Sequence, residues 1–186
     1  DTIERPGFVH GLLGWLTENR NRWHTARARY LGRSLEPAEI GDDWLNVPFI
    51  TPVMFAEFVL PRYLQIEAHH GGVRSIHSCG NQTELQKDLL RLCSLEFLEI
   101  SAWSDLEQSL RNIPPSMPLL VQLHANEVLF TGASEAQRRL EALRERLAGR
   151  RYTISTSGLT PVSEEPEDFL NRIRAWLEAA RRVWPW

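Results

Sequence analysis

From residue 73 onward, short apolar strands alternate with amphipathic helices, and no other feature limits the possible folds as strongly. Val73–His77 and the stretches 95–100, 118–123 and 152–155 have strand character, and 38–44 is a weaker strand that ends in Asp42 and Asp43. Helices are expected between them. One starts at Thr83 with Leu85, Leu89, Leu90 and Leu92 as its buried stripe, and a short one spans 105–113. A third is capped by Ser134, carries Leu140, Leu143 and Leu147, and stops at Gly149. Pro166–Val183 closes the series with Phe169, Leu170, Ile173, Trp176, Leu177, Ala180 and Val183 toward the core. Strand then helix, repeated five times, means an α/β chain with a parallel sheet and outer helices. Upstream, Pro6 opens an amphipathic helix over 6–20 that buries Phe8, Val9, Leu12, Leu13 and Leu16, with a possible continuation to Tyr30. A second helix starts at Thr51-Pro52 and is kinked or restarted by Pro61.

Composition removes several classes of function. The 186 residues carry a formal net charge of -3, and the one dense basic run, 138–151, is interleaved with Glu141 and Glu145. Nucleic-acid binding is therefore not expected. Two cysteines build no disulfide framework and point to a reducing, cytoplasmic setting. No apolar run approaches about eighteen residues and no signal peptide is recognised, so no membrane span is predicted. One domain over residues 1–186 is the expectation, and the absence of a glycine-rich phosphate fingerprint disfavours a dinucleotide fold.

The strand ends carry the chemistry. Asp42-Asp43, His77/Cys79, Ser101/Trp103, His124/Asn126 and Ser155/Ser157 each follow an apolar strand, and in a (β/α) barrel the active site lies at this carboxyl-terminal rim. Loops are polar in any case, so no single position decides the matter. The densest stretch is Val73 to Asn81: side chains two apart on a strand share a side, so His77 and Cys79 can converge, and Gly80 lets the chain turn away. An imidazole beside a thiol suits zinc, and it also suits a thiol–base pair. Against the latter, residues i and i+2 of a strand seldom reach hydrogen-bond geometry, and no orienting third group lies near in sequence.

The segments Asp42-Asp43-Trp44, Ile50 to Phe55, Phe58 to Pro61, and Ile76-His77-Ser78-Cys79-Gly80-Asn81 together resemble signatures of the uroporphyrinogen decarboxylase superfamily, closest to its cobalamin-dependent methyltransferase branch. Leu123 to Leu129 and Tyr152 to Pro161 are similar to its last two strand ends, and the Arg5-Pro6 helix also has a counterpart. The resemblance implies a (β/α) TIM-type barrel, here incomplete, because a full barrel takes about 250 residues and this chain is roughly three units short. Open sheet edges would then invite self-association into a homo-oligomer.

The resemblance further implies methyl transfer between a corrinoid, with a corrinoid protein as the partner that carries it, and a small thiol or similar acceptor held on zinc. His77 and Cys79 match two ligands; the third, a cysteine in the family, falls at Ser157, whose hydroxyl is a poor zinc ligand. Asp43, His124 and Glu127 are candidates to complete the set. Asp43 and His124 stand as catalytic candidates, and Asp42, Asn126 and Ser157 as substrate-binding ones. Two other readings remain open. One is decarboxylase-type lyase activity, for which the expected final histidine also falls at Ser157. The other is a non-catalytic member that binds a ligand or partner.

Overall fold

The computed structural model describes residues 2–161 and 164–185. Its architecture is mixed α/β, with five parallel strands in two small sheets. β1 (Ala38–Gly41) pairs with β2 (Val73–His77), setting Ile40 opposite Ile76 and Gly41 opposite His77. β3 (Leu98–Ile100), β4 (Leu119–Leu123) and β5 (Tyr152–Thr156) form the second sheet, with Ile100 opposite Val121 and Val121 opposite Ile154. β2 and β3 are joined by a backbone bond from Glu96 N–H to Arg74 O, 3.0 Å. The strands thus follow one another in chain order, and among the described residues they do not close into a barrel.

Helices pack on one side of this row because the apolar members of each strand alternate toward them. Ile40, Ile76, Leu98, Ile100, Leu119 and Val121 are buried with Phe55, Leu60, Tyr63 and Ile66, and with Leu85, Leu89, Leu92, Leu143 and Leu147. Burying each such side chain contributes about 1.5–3 kcal/mol relative to leaving it exposed. The segment after Thr51 runs as α2 (Pro52–Met54), a π-helical stretch Phe55–Val59, and α3 (Leu60–His70). The Thr51 hydroxyl caps its start by accepting from Met54 N–H. The kink expected at Pro61 is the place where the π stretch hands over to α3, with Pro61 in the first turn where its missing N–H costs nothing. Gly71, at φ 73°, ends α3 in the left-handed conformation that a side chain would resist.

Several expectations are corrected. Only Gln86–Leu89 (α4) is helical after Thr83, although Leu85, Leu89 and Leu92 are buried as read. α5 (Leu106–Asn112) is followed after β4 by α6 (Ala125–Leu129), a helix too short to show a period in sequence. α7 (Ala133–Arg146) starts from Gly132, so Ser134 lies inside it rather than capping it. On α8 (Pro166–Val183) the buried residues are Ala179, Ala180 and Val183, packed against Ala136 and Leu140 of α7, while Leu170 and Leu177 are exposed.

The largest correction concerns α1 (Pro6–Tyr30). Phe8, Leu12 and Leu16, expected to face the core, point away from it, and Thr17 is the buried residue of this helix. No helix among the described residues is long and apolar enough to cross a membrane.

Candidate functional site

β2 ends at His77, and the chain then folds back over the strand end. Ser78, fully buried, donates its hydroxyl to Leu45 O (2.9 Å), Val47 N–H donates to Asn81 O (3.0 Å), and Asn46 Nδ2 donates to Asp43 O (3.0 Å). The first two bonds tie the loop after β1 to the loop after β2, and the third braces the loop after β1 within itself. Gly80 is required where they meet, because a Cβ there would lie 2.2 Å from Cβ and Cγ of Asn46. From the far side, Ser101 Oγ, itself buried, donates to Gly80 O.

Held this way, Asp43, His77 and Cys79 converge. Cys79 Sγ lies 3.4 Å from His77 Nε2 and 3.4 Å from Asp43 Oδ1, and Nε2 lies 3.7 Å from Oδ1. Among the described residues this is the one group of three His, Cys, Asp or Glu side chains whose ligand atoms cluster so closely. A tetrahedral zinc, with Zn–S near 2.3 Å and Zn–N and Zn–O near 2.1 Å, requires ligand atoms about 3.4–3.6 Å apart. The observed separations match that requirement within a few tenths of an ångström.

The sequence reading missed the residue behind His77. Glu99 of β3, only 4% exposed, accepts from His77 Nδ1 with both carboxylate oxygens, at 2.9 and 3.0 Å. This bond holds the ring with Nδ1–H toward the carboxylate and turns the Nε2 lone pair toward Sγ and Asp43. Burial pushes the Glu99 carboxyl upward, while the His77 ring and the Ser78 N–H pull it back. Burial, the bond to Asp43 and the charges of Asp43 and Glu99 all push the Cys79 thiol up. Without a cation, the site therefore keeps Cys79 protonated. The signal in the sequence was an acid between Leu98 and Ile100 in an otherwise apolar strand.

His77 and Cys79 converge, and the expectation that they fall short of hydrogen-bond geometry with one another is corrected. Cys79 lies past the end of β2, where the returning loop, not strand geometry, sets the approach.

The remaining candidates lie elsewhere. Asp42 accepts from the buried Tyr63 hydroxyl at 2.8 Å, and its N–H extends the β1–β2 ladder to His77 O. His124 stands edge-on to Trp103, with ring centroids 4.5 Å apart. Ser157 Oγ accepts from Ala125 N–H at 2.9 Å, at the first turn of α6. Asn126 is exposed on α6. Glu127 borders a separate cavity of about 320 Å³ with Arg139, Arg146 and Trp176.

In front of the three converging side chains lies an open groove of about 540 Å³ bordered by Asp43, Cys79, Trp44, Phe49 and Trp103. Trp44 and Phe49 meet edge-to-face at 5.1 Å, and both are largely exposed. The site thus offers a carboxylate, a thiol and an imidazole beside an aromatic wall. No protein-family model and no curated protein matches this chain.

Proposed function

We propose that Asp43, His77 and Cys79 bind a zinc ion with one position left open for substrate, and that the chain is a uroporphyrinogen decarboxylase-like protein of the incomplete (β/α)-barrel type. The observation that carries the reading is the triangle of 3.4, 3.4 and 3.7 Å between the three ligand atoms, with Glu99 fixing the ring that supplies the nitrogen. Asp43 takes the place that the resemblance left vacant at Ser157.

When bound, the ion would lower the pKa of a substrate thiol, the class of acceptor that takes a methyl group from a corrinoid. The chain's own contributions are separable. Glu99 orients His77, Asp43 and Cys79 supply the negative charge that favours a dication, and Trp44, Phe49 and Trp103 give the acceptor an apolar wall.

Geometry also favours a second reading. Glu99, His77 and Cys79 stand in the order acid, imidazole, thiol, the arrangement of a cysteine nucleophile with an oriented base. Asp43 weighs against it, because a carboxylate 3.4 Å from the sulfur raises the thiol pKa where a nucleophile needs it lowered.

One experiment separates the two readings. Protein loaded with zinc and dialysed is assayed for metal content and for methyl transfer from methylcobalamin to a small thiol. One zinc per chain, lost together with activity in Cys79→Ser, is the expected result. Stoichiometric zinc without transfer would leave a binding protein. Metal-free protein whose thiol chemistry is abolished by iodoacetamide would favour the nucleophile.

A further inference from the structure

The groove in front of Asp43, His77 and Cys79 is bordered by rings and by no described Lys or Arg. The loop after β1 supplies Trp44 and Phe49, and the loop after β3 supplies Trp103. Each indole is braced by a second ring. Phe49 stands edge-to-face to Trp44 at 5.1 Å, and His124 stands so to Trp103 at 4.5 Å. Trp44 is 70% exposed and Trp103 48%, so both present ring surface to the groove rather than to the core. At about 540 Å³ the groove falls in the range of small-molecule sites.

Charge narrows what such a groove accepts. Asp43 is the charged residue of its border, Glu99 stands behind His77, and Asp42 lies one residue upstream. A ligand arriving here meets carboxylates and no compensating Lys or Arg. An anionic tail would be repelled. A neutral apolar tail would gain from the rings and nothing from the carboxylate. An alkylated ammonium group gains from both, because the negative faces of indole and phenyl rings attract a cation.

We propose that this groove recognises an organic cation, so that the acceptor thiol of the proposed reaction is joined to an alkylated ammonium group. The thiol rests on the zinc reading above, whereas the cation rests on the groove itself. The two fit together. Asp43 and the Cys79 thiolate offset the two charges of a zinc ion, a substrate thiolate leaves the centre net negative, and an ammonium group on the same molecule restores the balance. Trp44, Phe49 and Trp103 then act as specificity-determining residues.

Calorimetric titration of the full chain, metal-free and zinc-loaded, tests the cation separately from the thiol. The probes are choline and the uncharged alcohol in which carbon replaces its nitrogen, a pair that differs in charge and not in shape. Choline should bind about fivefold to thirtyfold tighter than the alcohol, and Trp44→Leu or Trp103→Leu should each remove much of that difference with far-ultraviolet circular dichroism unchanged. Equal affinities, a tighter alcohol, or no binding of either at millimolar concentration would overturn the proposal. With zinc-loaded protein and methylcobalamin, thiocholine, mercaptoethanol and mercaptoethanesulfonate should rank in that order by kcat/KM, the first and last differing by about tenfold or more. A sulfonate that equals or exceeds thiocholine would overturn it too. Preference for choline in a protein that neither retains zinc nor transfers methyl would keep the cation site and remove the methyl-transfer reading.

Discussion

His77 and Ser157 occupy equivalent places just at or past the end of a parallel strand, yet their surroundings differ. Around His77 the loops after β1 and β2 are laced to each other, and β3 sends a buried carboxylate underneath. The nitrogen, sulfur and oxygen left over all face one point. Around Ser157 the hydroxyl is committed to Ala125 N–H, and His124 is turned against Trp103. Polar residues at a strand end therefore divide by what they can satisfy. A serine hydroxyl accepts readily from a backbone N–H, whereas a thiol does so poorly and remains available. The same rim is a ligand cluster at one end and a set of local caps at the other.

The contrast predicts that ligand loss has the largest effect. Cys79→Ser or His77→Ala should lower zinc affinity on the order of 10²–10³-fold in chelator competition, since each ligand supplies a share of a binding energy of about 10–16 kcal/mol. Ser157→Ala should leave zinc affinity unchanged. Glu99→Gln comes next. It keeps a hydrogen-bond acceptor but loses the charge, and affinity should fall about 10–100-fold by the same competition.

The glycines of the two loops sharpen the comparison in stability. Gly80→Ala drives a Cβ into Asn46 and should cost about 1–3 kcal/mol in urea unfolding. Gly158→Ala, with nothing within 4 Å, should change stability little.

The smallest effect expected is kinetic. Because the Cys79 pKa is raised, the thiolate fraction at neutral pH is low, and alkylation of metal-free protein should speed up as pH climbs through and beyond the usual thiol range. Zinc should protect the sulfur wherever the pH keeps the three ligands deprotonated. Fast alkylation at pH 7 in metal-free protein would break the distinction between a held thiol and a free one.

How much of this could be read from sequence follows from which interactions are local. Val73-Arg74-Ser75-Ile76-His77 shows its strand and sets His77 at its end through spacing, and Asp43 follows from a strand ending in acids, whereas the approach of Cys79 depends on the loop that returns past the strand. Glu99 could not be paired with His77 by spacing, since their contact depends on the neighbouring relation of β2 and β3. α1 shows a different limit. Periodicity grouped Phe8, Val9, Leu12, Leu13 and Leu16, but only Val9 and Leu13 turn toward the body, half-buried, while Phe8, Leu12 and Leu16 are exposed, so a period names a face without saying whether this chain covers it. Ser157 was placed at a strand end, and its hydrogen bond to a five-residue helix lay below what periodicity can detect.

The central claim is that Cys79, His77 and Asp43 hold one zinc ion between them. Zinc K-edge X-ray absorption on the loaded, dialysed protein tests it most directly. The account predicts one sulfur at about 2.3 Å with the remaining nitrogen and oxygen neighbours at about 2.0–2.2 Å, the sulfur vanishing in Cys79→Ser. A spectrum of nitrogen and oxygen alone in the wild type, or no zinc retained after dialysis, would contradict it.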